Sequence, residues 1–346
     1  MMNQHVRQTP AHFMACAASA LVLGLGILGL GTLSAKAEVK PAIIYDLGGK
    51  FDKSFNEGAY RGAEKFTAET GIAYRDFEIQ NDAQREQGLR RFARDGFSPI
   101  VAVGFSQASA LEKVAAEFPN TQFTIIDMVV DKPNVQSIVF QEHEGSFIVG
   151  LLAARASKSG KVGFVGGMDI PLIRKFACGY VQGVKYGKAS AEIFQNMTGT
   201  TGAAWADPVK GAELAKSQIE RGADVIFHAA GGTGLGVLRA AADAGKLGIG
   251  VDSNQNGLFP GKVLTSMLKQ VDVATYKSFA DSKAGTWKAG VQVLGLKDKG
   301  LGYAMDDNNK ALVSPEMKSA ADQAVSDIIS GKIVVHDYMS DNKCPN

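Results

Sequence analysis

The chain has 346 residues, 45% of them hydrophobic and 21% charged, and its 37 Lys and Arg nearly balance 35 Asp and Glu. That balance excludes a globally basic protein built for nucleic acid or an anionic membrane, since both require a net positive field. Removing residues 1–37 would take away Arg7 and Lys36 and no acid, leaving 35 basic and 35 acidic residues, which suits a small neutral ligand better.

The first 37 residues read as an export signal: His5 and Arg7 near the start, an apolar region from about Ala15 to Leu33, then the small-x-small pattern Ala35-Lys36-Ala37. Cleavage after Ala37 is expected. A signal anchor is the alternative, because the apolar region approaches the ~18 residues of a membrane span, but its Gly and Ala residues weaken it as an anchor. A lipoprotein would need a Cys at the end of the apolar region, and Cys16 stands at its beginning, so no lipid anchor is expected and the protein is placed free in the periplasm. The remaining 309 residues suffice for two domains of ~100–200 residues each. Cys178 and Cys344 remain after cleavage; an oxidising compartment permits a bridge between them, and a buried thiol at Cys178 with a free one in the tail is the alternative.

Apolar strand-like runs then alternate with helical periodicity, the pattern of parallel sheets in βαβ units and hence an α/β fold. Strands are predicted at Ala42–Tyr45, Ile100–Val103, Gln122–Ile126, Ser137–Phe140, Lys161–Val165, Glu192–Gln195, Val225–His228, Gly248–Val251 and Val263–Ser266. Helices are predicted at about Glu57–Glu69, Ala83–Asp95, Ser109–Glu117, Gly145–Ala156, Pro171–Tyr186, Pro208–Arg221, Leu235–Ala244, Val271–Ala289 and Pro315–Ser330. No low-complexity linker divides the chain, so we expect it to cross between two lobes several times and form a hinged cleft. The first lobe is expected to hold residues 38–140 plus about 268–300, and the second 141–267 plus about 301–346.

Open α/β sheets bind ligands outside the carboxyl ends of their strands. Asp46 to Asn56, DLGGKFDKSFN, occupies such a position after the first strand, with Gly48 and Gly49 to turn the chain and Asn56 at the start of a helix. Ile126-Asp127, Ala204-Trp205-Ala206-Asp207 and Gly250-Val251-Asp252-Ser253 stand at comparable strand ends. Asp207 before Pro208 reads as a helix cap and is left out of the site. Gly231 to Gly236, GGTGLG, fails the dinucleotide spacing and lacks the P-loop lysine, which leaves a tight turn that lets a ligand approach the backbone. Lys269 follows an apolar strand and is either solvated or aimed into the cleft. His143, His228 and His336 show no metal-ligand spacing, no G-x-S-x-G elbow occurs, and neither metal nor cofactor is expected.

Six ordered segments together resemble the basic membrane protein family of periplasmic substrate-binding components of ABC importers. They are DKSFN at Asp52–Asn56, EGSFIVG at Glu144–Gly150, GFVGGMD at Gly163–Asp169, AGGTGLGV at Ala230–Val237, GVDSNQ at Gly250–Gln255 and VLTSMLK at Val263–Lys269. The resemblance implies a type I periplasmic binding fold, two Rossmann-like lobes with parallel sheets joined by a three-segment hinge. It also implies a non-enzymatic monomer that closes on a nucleoside, with purine the family's usual base, and delivers it to permease subunits in the inner membrane. By position, Asp52 and Asn56 would meet the base edge, and Trp205 and Tyr60 would sandwich the base, with Phe55 nearer the motif than Tyr60. Gly231 would give backbone contact; Asp252 and Lys269, with Asp127 as a secondary candidate, would bind ribose hydroxyls. The chain departs from the family in having Phe51-Asp52 where many relatives carry two adjacent acids, and Gln107 and Ser109 where an acid often follows Gly104-Phe105. The competing readings are a sugar or polyhydroxy ligand on the same fold, an exported nucleoside-processing enzyme, and an envelope structural or sensory protein.

Overall fold

The structure, a computed structural model, describes residues 39–345. The expected export signal, with Cys16, lies outside these residues. In chain order β1 (Ala42–Tyr45), α1 (Phe55–Thr70), β2 (Arg75–Glu78), α2 (Ala83–Arg94), β3 (Ile100–Val103), α3 (Ala108–Glu117), β4 (Phe123–Ile126) and β5 (Val135–Phe140) alternate. Next come α4 (Glu142–Ala156), β6 (Lys161–Met168), α5 (Pro171–Gly187), β7 (Glu192–Gly199), α6 (Pro208–Glu220), β8 (Val225–Ala229), α7 (Gly234–Asp243), β9 (Leu247–Asp252) and β10 (Val263–Lys269). Then α8 (Val271–Ala284), β11 (Gly290–Leu294), β12 (Leu301–Tyr303) and α9 (Pro315–Ile329) follow.

The strands form two six-stranded sheets, ordered β11-β5-β4-β3-β1-β2 and β12-β10-β9-β8-β6-β7. All pairings are parallel except β10 with β12. Both sheets reverse their winding beside their first strand, between β1 and β3 and between β6 and β8, and each reversal opens a crevice at the carboxyl ends. Central β1 is covered on both faces, so Ile43, Ile44 and Tyr45 are fully buried, the two isoleucines each contributing about 1.5–3 kcal/mol of apolar burial. The chain passes between the sheets after β5, after β10 and between β11 and β12.

The strands absent from the sequence reading are β2, β11 and β12, all at sheet edges. Edge strands need no continuous apolar run, and RDFE of β2 is mostly exposed. The helix expected to continue to Ala289 stops at Ala284, because Gly285 adopts a left-handed φ of 74° and closes the last turn.

Close packing of α4 on α5 fixes the second lobe. A Cβ at Gly183 would lie 1.9 Å from the carbonyl oxygen of Phe147, and one at Gly179 2.3 Å from that of His143, so only glycine allows this approach. Cys178 of α5 is bridged to Cys344 across 166 residues, which settles the open alternative in favour of the disulfide. The bridge lays the C-terminal tail on α5, where the backbone N–H of His336 donates to Gln182 Oε1 at 2.8 Å.

Candidate functional site

A cavity of about 70 Å³ lies between the carboxyl ends of the two sheets. Eight of the nine expected residues line it: Asp52, Phe55, Asn56, Asp127, Trp205, Gly231, Asp252 and Lys269. Tyr60 does not. It packs edge-on against Phe51, with ring centroids 5.3 Å apart, and Lys50 Nζ lies 5.2 Å from its ring. Five positions along a helix turn a side chain about 140° from Phe55, so the two cannot face the same cavity. The aromatic that α1 offers is therefore Phe55, and the expectation for Tyr60 is corrected.

The loop after β1 is built by its own polar groups. Gly48 and Gly49, at φ 114° and 85°, turn it. Asn56 Oδ1 accepts from Asp46 N at 3.1 Å, while Nδ2 donates to the carbonyls of Asp46 at 3.1 Å and Gly49 at 3.2 Å. Asp52 caps α1, accepting from the backbone N–H groups of Ser54 at 2.8 Å, Asn56 at 3.0 Å and Glu57 at 3.1 Å. Burial pushes the Asp52 carboxyl up to about 7 despite those three donors. Both residues stand at the cavity wall, but neither N–H of the Asn56 amide is free for a base edge.

Sequence reasoning missed Asp46, Phe105, Leu172, Ile173 and Phe176, which also line the cavity. Asp46 opened the flagged loop at the end of β1. Its partner is distant in sequence: Arg85 of α2 donates to Oδ1 at 2.9 Å, and the Ser106 hydroxyl donates to Oδ2. Gln107 is fully buried but does not line the cavity.

Asp127 follows β4 and Asp252 ends β9, and both adopt left-handed backbone, at φ 73° and 62°. Such strain costs about 1–3 kcal/mol per residue and aims one carboxylate from each lobe into the cavity. Lys269 Nζ donates to Asp127 Oδ2 at 2.7 Å and to Glu142 Oε1 at 2.9 Å. Asp127 Oδ1 is buried with no partner. Burial raises the Asp127 carboxyl to about 6 against the pull of Lys269, and burial raises that of Asp252 as well. Burial alone would lower Lys269, yet Asp127, Glu142 and Asp252 together hold it above the usual lysine range.

Trp205 lies on Gly167, where a Cβ would meet the indole at 2.2 Å. Gly231, at φ 55°, opens the turn beside it. Asp207 accepts from Lys210 N at 2.9 Å and caps α6. Beside the cavity the lobes touch: Arg61 donates to the Ser253 hydroxyl at 2.7 Å, that hydroxyl donates to the Ser54 carbonyl at 3.0 Å, and Gln255 Nε2 donates to the Lys53 carbonyl at 3.0 Å. Ser54 also donates to Asp252.

The structure is similar to an ABC transporter system solute-binding protein from Aeropyrum pernix K1, at 29% identity and a TM-score of 0.80, covering 86% of this chain and 94% of that one. The fold is thus the type I periplasmic binding fold. In sequence the chain is 33% identical over 317 residues to a CD4+ T-cell-stimulating antigen of Listeria monocytogenes, covering 85% of this chain and 87% of the relative. It is 32% identical over 324 residues to the ABC transporter nucleoside-binding protein BmpA of Lactococcus lactis, covering 87% and 90%. Relatives from three Pyrococcus species are named lipoproteins, and one from Borreliella burgdorferi is named basic membrane protein D. These names overturn the expectation of a free periplasmic protein without a lipid anchor. The expectation rested on the position of Cys16, which lies outside the described residues. Residues 41–338 match the family described as ABC transporter substrate-binding protein PnrA-like, and the chain belongs to this Bmp family.

Proposed function

We propose that the chain captures a nucleoside in the interlobe cavity and delivers it, unaltered, to the permease of an ABC importer. The observation that carries this reading is that one cavity is lined both by aromatic rings and by buried carboxylates with a lysine. Phe55, Trp205 and Phe176 supply aromatic faces, and Asp127, Asp252 and Lys269 supply acceptors and a donor, with Lys269 Nζ 5.2 Å from the Phe55 ring and 5.5 Å from that of Phe176. A planar base joined to a ribose presents the matching chemistry, an aromatic ring and hydroxyls. Stacking contributes about 1–3 kcal/mol per base, short of the roughly 8 kcal/mol of a micromolar complex, so the hydroxyl contacts must supply much of the rest. The free oxygen of Asp127 is a buried acceptor that a ribose hydroxyl would satisfy. The name of the Lactococcus relative, a nucleoside-binding protein, agrees with this reading.

In this reading residues 38–140 with about 268–300 move as one lobe and residues 141–267 with about 301–346 as the other, and a single chain carries one ligand. Titration calorimetry against adenosine, guanosine, inosine, uridine and ribose tests it. Nucleosides are expected to bind at micromolar concentration or below and to be recovered unchanged. Tight ribose binding with no nucleoside signal would overturn the proposal in favour of a sugar receptor.

A further inference from the structure

The buried charges continue beyond the cavity wall. Glu142, which does not line the cavity, accepts from Lys269 through Oε1, and its Oε2 lies 3.1 Å from Lys175 Nζ. That second contact is ionic, since Lys175 aims its hydrogen bond at the Phe140 carbonyl, 2.7 Å away. Lys175 also lies 3.5 Å from Asp337, in the tail that the disulfide lays on α5. A ladder of alternating charge thus runs Asp127, Lys269, Glu142, Lys175, Asp337.

Its rungs coincide with the hinge. Glu142 begins α4 just after the first crossover, and Lys269 ends β10 at the second. The third is tied to the same turn, because Leu296 N donates to Glu144 Oε2 at 2.8 Å and Gln141 N donates to the Leu294 carbonyl at 2.9 Å. A lysine ammonium is a point charge on a flexible stem with three rotatable donors, so one carboxylate alone does not fix its direction. Two carboxylates, one after β4 and one at the start of α4, do.

We propose that Glu142 is a positioning residue for ligand binding. From the hinge it shares the Lys269 ammonium with Asp127, taking one N–H while Asp127 Oδ2 takes another, so that the remaining Lys269 N–H and the free Asp127 oxygen serve the ligand as an adjacent donor and acceptor. Lys175 balances Glu142 from behind. The inference rests on the reading of the cavity as a site for a hydroxyl-bearing ligand.

Affinities of wild type, Glu142→Gln, Lys269→Gln and the double variant for adenosine and ribose test it. Losing a charge-assisted contact predicts roughly 10–100-fold weaker binding in Glu142→Gln. The double variant should bind no more weakly than Lys269→Gln alone, because Glu142 acts only through that lysine. Wild-type affinity in Glu142→Gln, or a double variant that loses the product of both effects, would overturn the proposal. Glu142→Asp keeps the charge and the fold while withdrawing the carboxylate, and it too should weaken binding; unchanged affinity there counts equally against the idea.

A ligand-free readout separates this role from general loosening. Asp127 faces Lys269, Glu142 and Asp252, with Lys175, Asp337 and a neutral His143 behind them. Removing the Glu142 charge removes a repulsion, so the Asp127 carboxyl followed by carbon-13 NMR should titrate below its wild-type midpoint. An unmoved midpoint overturns the proposal. A wild type that binds neither nucleoside nor ribose defeats the nucleoside reading instead, and the titration still decides on Glu142.

Discussion

Trp205 reaches the cavity because position 167 has no side chain. With a Cβ 2.2 Å from the indole, Gly167→Ala must displace the ring, and nucleoside affinity should fall by about 1–3 kcal/mol, the value of a stacked base, while ribose binding changes little. Calorimetry with both ligands checks this, and equal losses for the two would remove Trp205 from a stacking role. Asp127 gives a pH signature. Its carboxyl sits near 6 when the site is empty, and a ligand hydroxyl donating to its free oxygen favours the charged form, so binding expels a proton. Affinity should therefore be greatest above about pH 7 and weaken as pH falls through 6; a flat profile between pH 5 and 8 would mean that Asp127 does not accept from the ligand. The sequence was legible to the extent of bringing Asp52, Asn56, Asp127, Trp205, Gly231, Asp252 and Lys269 to one wall or another of one cavity. What it hid was which polar groups the protein had already used. DKSFN names an acid and an amide at the right place, yet nothing in five letters shows that the acid caps its own helix and the amide closes its own loop.

Helix α1 depends on that cap. Both Asp52 oxygens accept from backbone N–H groups, so Asp52→Ala should destabilise the protein by about 0.5–2 kcal/mol, whereas Asp52→Asn keeps one of the two acceptors and should lose less. Urea denaturation of both variants measures the difference. If the two lose the same amount, a single remaining oxygen does not cap the helix. At this scale the central strands and all nine helices described above were readable from periodicity, because a strand covered on both faces must be apolar throughout and a packed helix must repeat. The edge strands β2, β11 and β12 were not, since one side of each is free and its residues answer to solvent. The overrun of α8 has a similar origin: apolar spacing continues past Ala284, and only the backbone conformation of Gly285 ends the helix.

The two lobes meet outside the cavity through Arg61, Ser253, Ser54, Gln255 and Lys53, and an opening that parted the lobes here would have to break these bonds. They bias an equilibrium between open and closed forms that the ligand also biases. A ligand that binds only the closed form has an apparent Kd raised by whatever factor the closed fraction falls. Arg61 does not line the cavity, so Arg61→Ala removes a closure contact without touching the ligand. A net hydrogen bond of about 0.5–1.5 kcal/mol corresponds to a roughly 2–13-fold change in the closing equilibrium. If the empty protein is mostly open, that factor appears in full as a weaker Kd for every ligand. If it is mostly closed, Kd moves less, and the empty variant instead shows a larger radius of gyration by X-ray scattering. One of the two must change, and the affinity ratio between adenosine and ribose must stay fixed. An unchanged Kd with unchanged scattering would show that the Arg61 contact does not hold the lobes together, and an altered ratio would mean that Arg61 reaches the ligand itself.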